Sequence, residues 1–150
     1  MPHALEKPNK VNRPRPKSAP KALFPGQLAE LHALTLSGVS CGQIDLIKKR
    51  LRITQERLAN LLKISRATLN RVSAAPESSL DVPTGERVIR IGRLFDMACA
   101  ILGGEDNARA WLNQPQPGLK GQVPLKFAET ETGSRAVEQL LGRIEYGVYA

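Results

Sequence analysis

The stretch from Ile53 to Val72 constrains this chain most, because it holds two helix starts in close succession around a tight turn. Thr54 suits an N-cap, where its hydroxyl can accept an otherwise unpaired backbone N–H. Leu58, Leu61 and Leu62 then recur on one helical face, and Ala59 is small where a second helix must cross closely. A turn follows at Lys63 and Ile64. Ser65 is a second cap, and Leu69 and Val72 point inward at i and i+3. This leaves Arg66, Ala67, Asn70 and Arg71 facing outward. Two short capped helices with an outward Arg/Asn/Arg set are what a major-groove reader requires. Arg can pair with guanine and Asn with adenine. Gln55, at the start of the first helix, is placed to reach a phosphate where the helix terminus already favours an anion. The expected DNA-contacting set is Thr54, Gln55, Ser65, Arg66, Ala67, Thr68, Asn70 and Arg71. The competing reading is a helical hairpin with a solvated basic face; the two caps, Ala59 and the turn length favour DNA.

Charge supports that choice. The net charge of +8 is unevenly spread. Residues 43–73 carry eight Lys/Arg against Asp45 and Glu56, and residues 1–25 carry six against Glu6. Residues 74–150 are mildly acidic, with eight Lys/Arg against ten Asp/Glu. A basic first half suits a polyanion, since Lys and Arg that neutralise phosphates release counterions. The second half needs another task.

Punctuation by proline and glycine divides the rest. Residues 1–25 hold six of the eleven prolines and lack apolar periodicity, so they are expected to be a disordered basic arm. That arm is either a solvated tail or an auxiliary phosphate contact. A short helix is expected over 27–36, ended by Ser37 and Gly38, and a second over 42–51 with Ile44, Ile47 and Leu51 buried. Residues 26–75 thus form a helix-turn-helix domain, and 76–86 a linker in which Pro76 and Pro83 stop the helices on either side. Thr84 can cap the next helix, over 86–102, whose stripe is Val88, Ile91, Phe95, Ala98 and Leu102. Gly103 and Gly104 end it. A shorter helix over 105–113 carries Trp111, expected in the core, and Leu112; Pro115 and Pro117 break it. Residues 122–127 read as extended, a short strand or a turn. A last helix runs over 133–146, with Val137, Leu140, Leu141, Ile144 and Val148 on one face. The expected fold is all-α: the arm, a helix-turn-helix domain, and a small helical domain at 87–150.

At this point the residues carry a family likeness. The segment 54–71 resembles an Xre/Cro-type helix-turn-helix. Residues 87–150 resemble the toxin-binding domain of Xre/MbcA/ParS antitoxins. The resembling elements are the segment 87–94 with Arg87, Arg90 and Arg93, the run Ala110, Trp111 and Leu112, the segment from Leu119 to Leu125, and the pair Thr132 and Gly133. The closing run from Leu141 to Tyr149 is the most specific. The resemblance implies an antitoxin that binds and blocks a RES-domain toxin, an NAD-degrading enzyme, through its C-terminal domain. It also implies repression of its own operon by binding promoter DNA, and a homodimer within a larger complex. Lys63 stands at the turn where many such sequences have Gly; a left-handed backbone there costs roughly 1 kcal/mol relative to Gly. The alternative from another class is a stand-alone helix-turn-helix repressor whose C-terminal domain only dimerises.

The same likeness names toxin-contact residues: Arg143, Glu145, Tyr146, Gly147, Val148 and Tyr149. Tyr and Arg are frequent interface anchors, although Tyr146 and Tyr149 could instead close the domain's own core. Arg87, Arg90 and Arg93 share one helix face, open to a partner, to local acids or to solvent. Enzyme chemistry has no support. His3 and His32 lack a neighbouring nucleophile or acid at dyad spacing, no phosphate-loop, dinucleotide or zinc-protease motif is present, and Cys/His content is too low for a metal centre. No cofactor is expected. Cys41 and Cys99 lie outside any CxxC spacing and are expected to be reduced and packed. No apolar run approaches the roughly 18–20 residues of a membrane span, and the basic N-terminus lacks a signal sequence's apolar region, so a cytoplasmic location is expected.

Overall fold

A computed structural model describes residues 21–147 of the chain. Within them the fold is all-helical: α1 (Leu28–Ser37), α2 (Gly42–Leu51), α3 (Gln55–Leu62), α4 (Arg66–Ser73), α5 (Val82–Leu102), α6 (Glu105–Asn113), α7 (Pro124–Phe127) and α8 (Glu131–Glu145), with a 3-10 turn at Pro117–Leu119. Strand-like pairing among the described residues is confined to two isolated bridges, Ser40 with Ser79 and Gln116 with Gln122. No helix among them is long and apolar enough to cross a membrane.

The central element is α5. It packs against α1, α2 and α3 on one side and against α6 and α8 on the other. The stripe expected from the sequence is buried at Val88, Ile91, Phe95 and Ala98, but Ile89, Gly92, Leu94 and Cys99 are buried as well. A helix gripped from both sides needs a wider apolar surface than one lying on a single core. Each such Ile, Leu or Phe contributes about 1.5–3 kcal/mol on burial. One continuous core therefore joins the two halves of the molecule.

The stretch 76–86 is not a free linker. The Leu80 N–H donates to the Val39 carbonyl at 2.7 Å, and the Cys41 N–H to the Ser78 carbonyl at 2.8 Å. Leu80 itself is buried. Helix α5 begins at Val82, earlier than expected, and Asp81, not Thr84, is its cap, accepting from the Thr84 N–H at 3.4 Å. Pro83 lies inside the first turn and starts the helix instead of stopping it, because there a missing N–H costs nothing.

The last residues of the expected basic arm are packed on the core. Residues 1–20 of that expected arm lie outside the described residues, but Leu23 and Phe24 are buried against α5. Their N–H groups donate to the Asp96 carboxylate at 2.8 and 2.9 Å. Gly92 leaves room for the Phe24 ring, which any Cβ at that position would strike.

Residues 122–127 are not a strand. Pro124 opens the single turn of α7, which buries Leu125, while Ala128 is buried just after it. Helix α8 starts at Glu131, two residues earlier than expected, because the Thr130 hydroxyl accepts from the Gly133 N–H at 2.9 Å. Gly133 fits because a Cβ there would collide with the Phe127 carbonyl. Trp111 is half-buried and packs on the core, as expected.

Candidate nucleic-acid and protein interfaces

Both expected caps form. The Thr54 hydroxyl accepts from the Arg57 N–H at 3.2 Å, and the Ser65 hydroxyl accepts from the Thr68 N–H at 3.0 Å. The Ser65 O–H in turn donates to the Thr68 hydroxyl at 2.9 Å. Between the helices the Ile64 N–H reaches the Ala59 carbonyl at 3.1 Å and the Lys63 N–H reaches the Asn60 carbonyl at 3.2 Å. This paired closure needs a left-handed residue, and Lys63 supplies it at φ 55°.

Leu69 is fully buried and fixes the roll of α4. Arg66, Ala67, Asn70 and Arg71 consequently face solvent, and Thr68 is half-buried. Gln55 is tied in rather than free: its carbonyl accepts from Lys48 Nζ at 2.9 Å, and its amide donates to Asn70 Oδ1. The structure thus brings Gln55 and Asn70 together across α3 and α4. The sequence reading missed Lys48 as the third member of this chain. Lys49 and Arg52 line a shallow cleft beside the same α3 terminus, with Lys48 and Asp45.

The expected contact residues at the other end lie on the last turn of α8. Val137 and Leu141 bury the helix against the core. Arg143, Glu145, Tyr146 and Gly147 are exposed. Tyr146 is 81% exposed, so it does not close the core of its own domain. Val148 and Tyr149 lie outside the described residues.

The arginines of α5 are not a uniformly solvated face. Arg87 donates from Nη1 to the Leu62 carbonyl at 3.3 Å, where a cation suits the end of α3. Arg90 and Arg93 are half-buried. Burial, and then the charge of Arg87, hold the Arg90 pKa below the ordinary arginine value.

A further ion-pair group, unread from sequence, locks the halves together. Arg50 of α2 contacts Glu105 of α6 at 2.5 Å and lies over the Phe95 ring at 5.4 Å. It also donates to the Lys21 carbonyl at 2.6 Å. Arg109 pairs with Glu105 at 3.5 Å and with Asp106, and donates to the Arg50 carbonyl at 2.8 Å.

Both cysteines are buried and unbridged. Burial, and secondarily Glu105, pushes the Cys99 thiol up to about 11; burial raises Cys41 also. Neither has the depressed pKa of a nucleophilic thiol. Among the described residues no group of three His, Cys, Asp or Glu side chains is placed to hold a metal.

Residues 30–93 match the antitoxin Xre-like helix-turn-helix domain, and residues 97–147 match the antitoxin Xre/MbcA/ParS C-terminal toxin-binding domain. The two regions meet within α5, the helix that both halves share. An Antitoxin Xre from Yersinia enterocolitica is 39% identical over 43% of this chain and 45% of its own length. The chain thus spans about half the length of that curated relative. A Prs ADP-ribosylating antitoxin from a Sphingobium species is 28% identical over 90% of both chains. Among solved structures, a chain of the M. tuberculosis MbcT–MbcA toxin–antitoxin complex superposes with a TM-score of 0.54 at 19% identity, over 73% of this chain and 96% of that one, which shows a shared fold. With its two domains in adjoining order from residue 30 to residue 147, the chain belongs to the Xre/MbcA/ParS antitoxin family.

Proposed function

We propose that this chain is the antitoxin of a type II toxin–antitoxin system. It occludes the active site of a RES-domain, NAD-degrading toxin with the end of α8 and represses its own operon with α4. The observation that carries this reading is the exposed last turn of α8. There Arg143, Glu145 and Tyr146 project from a domain of the toxin-binding family while Leu141 anchors the helix behind them. Tyr offers a large, rigid contact area with a polar tip, and Arg a multidentate donor.

For promoter DNA, Arg66, Asn70 and Arg71 read base edges. Thr54, Gln55, Ser65, Ala67 and Thr68 fix the register of the helix on the duplex. Lys48, Lys49 and Arg52 add phosphate contacts beside α3. The working unit is a homodimer in the cytoplasm, assembled with toxin into a larger complex. The chain's own part is binding, with no catalytic step and no cofactor.

The test is co-expression with the RES-domain protein of the neighbouring reading frame. That protein alone should arrest growth and deplete NAD, and this chain should restore both. Absence of rescue would remove the antitoxin reading and leave a stand-alone repressor.

A further inference from the structure

Among the described residues three buried side chains, Gln43, Arg90 and Ser134, have polar atoms without partners, and the last two lie together. Arg90 Nε and Nη2 are enclosed and make no hydrogen bond among the described residues, and the same holds for Ser134 Oγ. Ser134 is 2% exposed. Buried donors are satisfied in almost all native structures, by protein groups or by bound polar molecules, so two unpartnered groups at one place point to a polar ligand. Both residues border a single cleft of about 570 Å³ between α5 and α8, within the size range of small-ligand sites.

The empty edge of Arg90 is specific. Its Nε–H and Nη2–H run parallel and match the spacing of the two oxygens of a carboxylate. The charges around it set the class of anion. Arg135 is already paired with Glu131 at 3.1 Å. Arg90, Arg93 and Arg135 against Glu131 and Glu138 leave the lining one positive charge in excess. That balance suits a monoanion and disfavours a phosphate dianion. Leu28, 66% exposed, borders the same cleft and offers apolar surface to a short aliphatic stem.

We propose that Arg90 and Ser134 form a receptor for one carboxylate group carried on a short apolar chain. Arg90 grips both oxygens, Ser134 donates to one of them, and Arg93 supplies the second positive charge. The carboxylate comes from a free small organic acid or from an Asp or Glu side chain of a bound protein. The site lies where α5, which holds Leu62 through Arg87, meets α8, whose C-cap is the exposed Tyr146.

The experiment follows the arginine Nε–H resonances of the full chain by NMR during titration with sodium butyrate, against sodium chloride at equal ionic strength. One resonance should move saturably with butyrate alone, and Arg90→Lys should remove that response. Lys keeps the charge and the fold but not the fork. Ser134→Ala should weaken the response about fivefold. The site is overturned if the shift follows ionic strength, survives Arg90→Lys, or appears at lower concentration with phosphate than with butyrate. A second arm adds the co-expressed toxin. If the Arg90 resonance already sits at its bound position and ignores butyrate, the carboxylate is the partner's; if it still responds, the ligand is a free acid. Because the first arm uses neither toxin nor DNA, its failure leaves the antitoxin reading untouched.

Discussion

The outward face of α4 and the exposed end of α8 carry similar side chains but are held in different ways. Helix α4 is fixed from several directions. Ser65 caps its start, Leu69 pins it to the core, and Gln55 grips Asn70 from the neighbouring helix. The last turn of α8 projects past its final fully buried residue, Leu141, with Ile144 half-buried. Beyond that point the side chains of Arg143, Glu145 and Tyr146 bond to no other described residue. A surface that reads base edges gains from side chains set in register beforehand, because each contact depends on angle. A segment that enters a cleft gains from protruding, with few bonds of its own to break.

This contrast predicts a double dissociation, and it carries the largest effects. Truncation after Leu141 should abolish neutralisation in co-expression and leave promoter binding within about twofold, since an interface anchor is worth roughly 2 kcal/mol or more. Arg66→Ala combined with Arg71→Ala should do the reverse. Each base contact is worth roughly 1–3 kcal/mol, so sequence preference collapses while toxin binding persists. Gel-shift and rescue assays on both variants check it. If either variant loses both activities with its helical melt intact, the two surfaces are not separable.

What the sequence revealed follows the same divide between local and distant partners. Thr54 and Ser65 were legible because a cap bonds an N–H only three residues away. Lys63 was marked as a left-handed position by the resemblance alone, because many such sequences place Gly at that turn. Leu23 and Phe24 were hidden because their acceptor, Asp96, is 73 and 72 residues away and the surrounding prolines dominate the local composition. The docking of Leu80 on Val39 was hidden for the same reason. Residues 122–127 offered too short an apolar run to separate a strand from one helical turn. At the candidate interfaces, the exposed Arg and Asn of α4 followed from helical periodicity. The roles of Lys48 and Arg87 depended on which helices meet.

The joint between the two regions can be tested next. Arg50 spans it, reaching Glu105, the Phe95 ring and the Lys21 carbonyl from α2. Its side chain is 16% exposed and that of Glu105 is 29% exposed, so the pair is only partly screened. Arg50→Ala should cost about 2 kcal/mol, the scale of a charge-assisted hydrogen bond lost in partial burial, and lower Tm by roughly 4–8 °C. The loss should fall on the whole molecule in one transition, because one core joins both halves. Two separated transitions by calorimetry would show that α5 does not couple them.

The smallest effect sharpens the comparison from the side of α4. Lys63 holds φ 55°, a conformation that costs an L-residue with a Cβ more than it costs glycine. Its side chain is exposed, so replacing it removes no core contact. Lys63→Gly should therefore stabilise the native turn, with a net gain of about 0.5 kcal/mol after the greater freedom of glycine in the unfolded chain is subtracted. Urea melts should show a higher midpoint at an unchanged slope. Promoter affinity reports separately on the lost charge. If Lys63 also touches a phosphate, the variant will bind less tightly and its salt dependence will fall by about one counterion. A stabilised chain with unchanged salt dependence would assign Lys63 to the turn alone, and leave DNA contact to α4 and the basic edge of α2.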